Sequence, residues 1–183
     1  MNKIEIPISK KKLTLGIIGS VLFVILGIWF YSHPNDFQNI PFRFLRNPTV
    51  IKTIGIAGII FFGATGIYGI IKSFDKKFGL IIDNEGIFDN SNASSIGLIK
   101  WTDIIEIRTE QVMSTKFLLI YISDPNALIE NVKGMKRKLM EGNMKIYGTP
   151  ISITSNTLKY NFSDLEKLLK DRLNEQRRTM PNR

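Results

Sequence analysis

The chain has 183 residues, a formal charge of +9, one histidine and no cysteine. That excludes disulfides, thiolate metal sites and cysteine nucleophiles, and it leaves a structural zinc site short of its usual four nitrogen or sulfur ligands. The charge does not mark a nucleic-acid binder: residues 1–77 hold ten Lys/Arg against three acids and residues 78–183 hold fifteen against thirteen, so the surplus flanks apolar segments instead of covering a folded domain.

Residues 13–31, LTLGIIGSVLFVILGIWFY, carry no charge, and neither do residues 53–71, TIGIAGIIFFGATGIYGII. At a helical rise of ~1.5 Å per residue, each run nearly covers a hydrocarbon core of ~30 Å. They predict a transmembrane hairpin over 1–77, with spans at about 13–31 and 50–72. Lys10, Lys11 and Lys12 resemble the start of a signal peptide. However, the apolar run that follows exceeds the ~7–15 residues of such a peptide and ends in Trp29-Phe30-Tyr31, not in a small-x-small cleavage site. An aromatic cluster suits the membrane interface, so the first run reads as an uncleaved anchor.

Asn47 reads as the N-cap of the second span and Pro48 as its first helical residue. Both spans are rich in small residues: Gly16, Gly19, Ser20 and Gly27 in the first, Gly55, Gly58, Gly63, Gly66 and Gly69 in the second. Such residues let helices approach closely, here as a hairpin, and they are compatible with a homo-oligomer. No charge lies inside either apolar run, 13–31 or 53–71, which argues against an ion or proton path. Lys3, Lys10, Lys11, Lys12, Lys72, Lys76 and Lys77 flank the outer ends of the spans, against Arg43, Arg46 and Lys52 at the loop. This predicts both termini in the cytoplasm. Phe37, Phe42 and Phe44 of the loop SHPNDFQNIPFRFLRNPT are expected at the interface.

After Lys77 the rhythm becomes strand-like. FGLIID and GIFDN flank Asp83-Asn84-Glu85-Gly86, a tight hairpin turn. A second turn cluster covers 89–95. GLIKWTDIIEIRT reads as strand, turn or bulge near Thr102-Asp103, then strand, and KFLLIYIS (116–123) as a strand buried on both faces. Asp124-Pro125 opens a helix over 126–141, stopped at Gly142. Its apolar positions are Leu128, Ile129, Val132, Met135, Leu139 and Met140. Lys133, Lys136, Arg137 and Lys138 are assigned to the opposite face. KIYGTPISITS and TLKYN give two more strand candidates. Ser163-Asp164-Leu165-Glu166 reads as a capping box opening an amphipathic helix on Leu165, Leu168, Leu169 and Leu173. Residues 78–177 thus form one domain, and 178–183 a flexible tail.

Six or seven short strands, an inserted helix and a closing helix make an α+β fold, packed most simply as a small, partly open barrel capped by a helix. The segments FGLIIDNEGIFDN, GLIKWTDIIEI and TPISITSNTLKYNFSDLEKLL resemble the pleckstrin-homology-like (PH-like) domains of bacterial membrane proteins. With two N-terminal spans, the order is similar to a family of uncharacterised two-span bacterial inner-membrane proteins over most of the chain. The helix at 126–141 is an addition to the simple seven-strand pattern. The resemblance implies a multi-pass protein of the bacterial inner (plasma) membrane with a cytoplasmic domain. Its motifs specify architecture and name no activity.

No catalytic constellation stands out, and no cofactor is expected. A Ser-His-Asp triad would need His33, which the topology puts across the membrane from the domain. Asp83, Glu85 and Asp89 sit in turn sequences, where Asp and Asn bond the local backbone. Asp103 reads as a turn or bulge residue. The glycines lack the spacing of a phosphate-binding loop. The expectation is a non-enzymatic membrane protein whose domain binds a protein, peptide or lipid headgroup at the inner face. The alternative is a membrane-resident immunity factor against a toxin acting on the envelope. The bilayer itself is one partner. Lys72, Lys76, Lys77, Lys133, Lys136, Arg137 and Lys138 are the candidate contacts to anionic lipid.

Overall fold

The computed structural model describes residues 3–39 and 41–179. It divides into two compact units: Lys10–Lys76, and the N-terminal residues up to Ser9 together with the chain from Lys77 onward.

The first unit is a helical hairpin. Helix α1 runs Lys10–Ser32 and α2 Pro48–Ser73; both are long and apolar enough to cross a membrane. The predicted cap of α2 is present: the Asn47 side chain accepts from the Thr49 N–H at 2.9 Å, with Pro48 in the first turn. The helices pack antiparallel. A Cβ on Gly55 would lie 2.6 Å from the Gly27 carbonyl oxygen and 2.9 Å from the Tyr31 nitrogen. Gly66 meets Ser20, Gly69 meets Ile17, and the Phe23 and Phe62 rings stack with centroids 4.3 Å apart. Gly16, Gly19, Gly58 and Gly63 have open space at the Cβ position, so only part of the small-residue set serves this packing. At the loop end, Phe37 packs edge-on against Trp29 and Phe30. Phe42 and Phe44 are exposed.

The second unit holds two antiparallel sheets. The first has the order β1-β2-β3-β4, with β1 Ile4–Ile6, β2 Leu80–Ile82, β3 Gly86–Asp89 and β4 Gly97–Lys100. The second has the order β5-β6-β7, with β5 Ile104–Val112, β6 Thr115–Ile122 and β7 Ile151–Ile153. The sheets do not close into the expected barrel: β4 and β5, adjacent in sequence, are divided by a 3-10 turn at Trp101–Asp103 and do not pair. The Trp101 indole is buried, and its Nε1–H donates to the Asp83 carbonyl at 2.9 Å, which fixes the corner.

Strand β1 was not expected. It precedes the first apolar helix, yet it pairs Ile4 with Ile82 and Ile6 with Leu80. The pairing continues past it: Ile8 bridges Leu158, the Ser9 N–H donates to the Thr157 carbonyl, and the Lys159 N–H donates to the Pro7 carbonyl. Residues 4–9 therefore stitch the first sheet to the segment leading into the last helix. TLKYN forms that bridge, not a strand of its own.

The core gathers Ile6, Leu80, Ile82, Ile87, Ile99, Trp101, Leu118, Ile120, Ile153 and Leu158 with Leu165, Leu169 and Leu173 of the closing helix α5, Phe162–Thr179. Alternation puts Leu119 on the other face of β6, and it is buried too, as the unbroken apolar run predicted. The capping box is not formed. Asn161 does the capping: its side chain accepts from the Ser163 N–H at 2.8 Å and its carbonyl from the Leu165 N–H at 3.0 Å. Glu166 is used elsewhere. Residues 178 and 179 of the expected tail are helical, and 180–183 lie outside the described residues.

The single helix predicted at 126–141 is two helices, α3 Pro125–Glu130 and α4 Gly134–Tyr147. Asp124 caps α3 as expected, accepting from the Ala127 N–H at 2.9 Å. The break is local chemistry. The Asn131 side chain bonds back to the Ala127 carbonyl, Lys133 is extended, and Gly134 has φ +68°, a left-handed value that favours glycine. Gly142 does not stop α4. The stop is Gly148, φ +73°, so Lys145–Tyr147 are helical and not part of a strand.

Candidate functional site

Among the described residues, no group of three or more His, Cys, Asp or Glu side chains could hold a metal ion. The carboxylates singled out in sequence serve turns. Asp83 accepts from the Glu85 N–H at 2.9 Å and the Gly86 N–H at 3.2 Å; Asp89 accepts from the Ser91 N–H at 2.9 Å. Asp103 closes the Trp101 corner and accepts from the Thr102 hydroxyl. His33 precedes a short 3-10 turn at Pro34–Phe37, in the loop between α1 and α2.

Charge pairs decorate the outer strands. Glu106 and Arg108 are 2.7 Å apart, and the Arg108 guanidinium lies 4.8 Å from the Tyr121 ring centre. The arginine's hydrogen bond holds Glu106 below the usual carboxylate range, and Glu5 raises Lys3 in the same way. Glu166 ties α5 to β5. It accepts from Lys170 at 2.7 Å and from the Thr109 hydroxyl at 2.6 Å, and both bonds lower its pKa.

A carboxyl depressed in the folded state stabilises it above the unfolded glutamate pKa, and that contribution disappears as pH falls through the folded value. Glu166→Gln should therefore lower the melting temperature at neutral pH by an amount worth about 1 kcal/mol or less. The gap from the parent should close between pH ~5 and ~3. Thermal unfolding followed across that range is the check; a gap independent of pH would mean the carboxylate charge contributes nothing.

The seven basic residues fall in separate places. Lys72 lies in the last turn of α2 and pairs with Asp75 at 2.8 Å. Lys76 follows in the helical unit, and Lys77 begins the second one. Lys133 flanks the start of α4, while Lys136, Arg137 and Lys138 lie in its opening turns; Arg137 pairs with Glu141 at 2.7 Å.

The expected division of α4 into an apolar buried face and a basic outer face is not what forms. Met140, fully buried, is the residue that enters the fold. On that side the Tyr121 hydroxyl donates to the Tyr147 carbonyl, and the Asn143 amide donates to the Pro150 carbonyl and the Ser152 hydroxyl. Met135, Leu139 and Ile146, by contrast, are 71%, 39% and 72% exposed. At ~100° per residue they share one outer face with Gly142. Lys136 falls on one flank of that face, Lys138 and Lys145 on the other. Lys145 was missed because residues 145–147 read as strand. The signal that finds it is the spacing of Met135, Leu139, Gly142 and Ile146 at i, i+4, i+7 and i+11.

A cleft of about 440 Å³ lies between α3 and α4. Glu130 and Glu141 line it together with Arg137 and Lys145, so it has no preferred sign of charge. The strand β1 was also missed in sequence, although IEIPI alternates apolar and other residues over 4–8. Comparison of the chain with protein-family models, curated proteins and solved structures returns no match.

Proposed function

We propose that α1 and α2 cross a bacterial inner membrane with both termini cytoplasmic, and that the β/α unit works at that face as a non-enzymatic binding module. Its ligand on this reading is a component of the same face: a lipid headgroup or the cytoplasmic part of another protein. The PH-like resemblance is consistent with such a role, although the two sheets stay open.

Away from the face on which they meet, both helices expose apolar residues, among them Leu15, Leu22, Ile60, Phe61, Ile67 and Ile71. A core helix of a soluble protein would bury one side of such a surface, and lipid accommodates all of it. The observation that carries the reading is the pairing of β1 with β2. Sheet partners cannot lie on opposite sides of a bilayer, so the pairing supports an even number of crossings between them. The lysine balance supports the cytoplasm as that side. The linkers are short, residues 7–9 before α1 and residues 74–79 after α2. At ~3.3–3.6 Å per residue they reach ~11 Å and ~22 Å at most. A unit tethered twice at such lengths suits a ligand that is itself held at the membrane.

The native absence of cysteine makes the test clean. Asn126→Cys should resist a membrane-impermeant maleimide in intact cells and react after lysis, while Asp36→Cys should react in intact cells. The opposite pattern would reverse the orientation, and equal labelling of both would remove the two-span topology. A photocrosslinking residue in the β/α unit should capture one recurring membrane component. A secreted toxin as the recurring capture would replace the module reading with a protective, immunity-type role.

A further inference from the structure

We propose that α4 is an interfacial helix: Met135, Leu139 and Ile146 bed into the headgroup–acyl boundary of an anionic leaflet, while Lys133, Lys136, Lys138 and Lys145 meet its phosphates. This rests on the reading that α1 and α2 lie in a bilayer.

The stripe is built to face outward. From Met135 to Ile146 it runs eleven residues, or ~16 Å of helix. It cannot roll inward, because the adjoining side of α4, ~100° round the helix, is pinned to the sheet through Met140, Asn143 and Tyr147. Gly142 lies in the stripe and adds no side chain, so the larger residues form two apolar prongs at either end of a low saddle. Among the described residues nothing in the second unit covers them: Met135 and Ile146 are among its most exposed large apolar residues.

The charges around the stripe identify its partner. From residue 133 to 147 there are five basic residues and one acid, and that acid, Glu141, is held by Arg137. Four lysines remain, without an ion pair among the described residues, on both flanks and at the N-terminal end. A groove on a protein offers discrete carboxylates at chosen points. A leaflet offers a continuous sheet of phosphates on either side of whatever enters it, and cations on both flanks of an apolar face match that symmetry. Lysine stems are long enough to lie along the apolar boundary while their ammonium groups reach the phosphates.

The experiment uses the full chain in nanodiscs, with single cysteines carrying an environment-sensitive fluorophore. Labels at Met135, Leu139 and Ile146 should emit at shorter wavelength in discs containing phosphatidylglycerol and be quenched by nitroxides on the lipid chains. Labels at Glu130 and Glu141 should stay water-like. The triple change Lys136→Glu, Lys138→Glu, Lys145→Glu should return the stripe labels to water-like emission, with the melting temperature confirming an intact fold. Three results overturn the proposal: stripe labels as water-like as Glu141, a blue shift equally strong in neutral phosphatidylcholine discs, or a shift present only with two or more copies per disc, which would assign the stripe to self-association. If the Asp36 and Asn126 labelling holds while the stripe stays aqueous, only this proposal falls. If that labelling fails, the membrane reading falls first.

Discussion

A fragment of residues 77–183 is expected to remain unfolded, and the same fragment carrying residues 3–9 in place of the helical hairpin, through a flexible linker, is expected to fold. Ile6 is 1% exposed in the centre of the core, and its carbonyl accepts from the Gly79 N–H at 2.9 Å. Removing β1 strips an edge from Leu80–Ile82 and opens the bridges at Ile8 and Pro7. Truncating a buried isoleucine to alanine costs about 2–5 kcal/mol. Domain stability as a whole is roughly 5–15 kcal/mol. Ile6→Ala alone should then remove a large share of the stability, and Ile6→Asp, which buries a carboxylate without a counter-charge, should abolish folding. Circular dichroism and limited proteolysis read both comparisons. Equal melting of the two fragments would show that β1 is dispensable.

The second large effect belongs to the hairpin. Gly55→Leu should force α1 and α2 apart, because the atoms its Cβ would strike, the Gly27 carbonyl and the Tyr31 nitrogen, are backbone and cannot swing aside. Overpacking of this kind costs about 1–3 kcal/mol where relaxation is possible and more where it is not. Gly58→Leu and Gly63→Leu are the controls, since open space lies at both positions. A Cβ on Gly66 would lie 3.2 Å from the Ser20 Cβ, near disulfide range, so Ser20→Cys with Gly66→Cys reports the packing directly. Disulfide formation should be efficient in the parent and in both controls, and should fall several-fold with Gly55→Leu. An unchanged yield would mean that the close approach at Gly27 and Gly55 does not hold the hairpin.

What the sequence showed was what neighbouring residues decide. The two long apolar helices, the Asn47 and Asp124 caps, the Asp83–Gly86 turn and the corner at Trp101 each depend on residues within a few positions of one another. The pairing of Ile4 with Ile82 spans the whole hairpin, and no local pattern announces it. Its alternation is only five residues long and abuts a lysine cluster. The orientation of α4 failed for a different reason. Met135, Leu139 and Met140 all have helical spacing, and periodicity cannot say which of two apolar directions is buried. That is decided by Tyr147 and Asn143 meeting the sheet, beyond the point where Gly142 suggested an end. That early stop left Ile146 and Lys145 out of the helix and so hid the exposed stripe.

The late partner of β1 also makes the sheet a report on biogenesis. Residues 4–6 are made before the two helices and stay unpaired until Leu80–Ile82 has followed the second helix out. On the reading that α1 and α2 are membrane spans, a chain inserted with a single crossing holds the two strands on opposite sides, where they cannot meet in that register. Such a chain keeps an unfolded, protease-sensitive C-terminal half. On that same reading, folding of the second unit reports whether both helices were inserted.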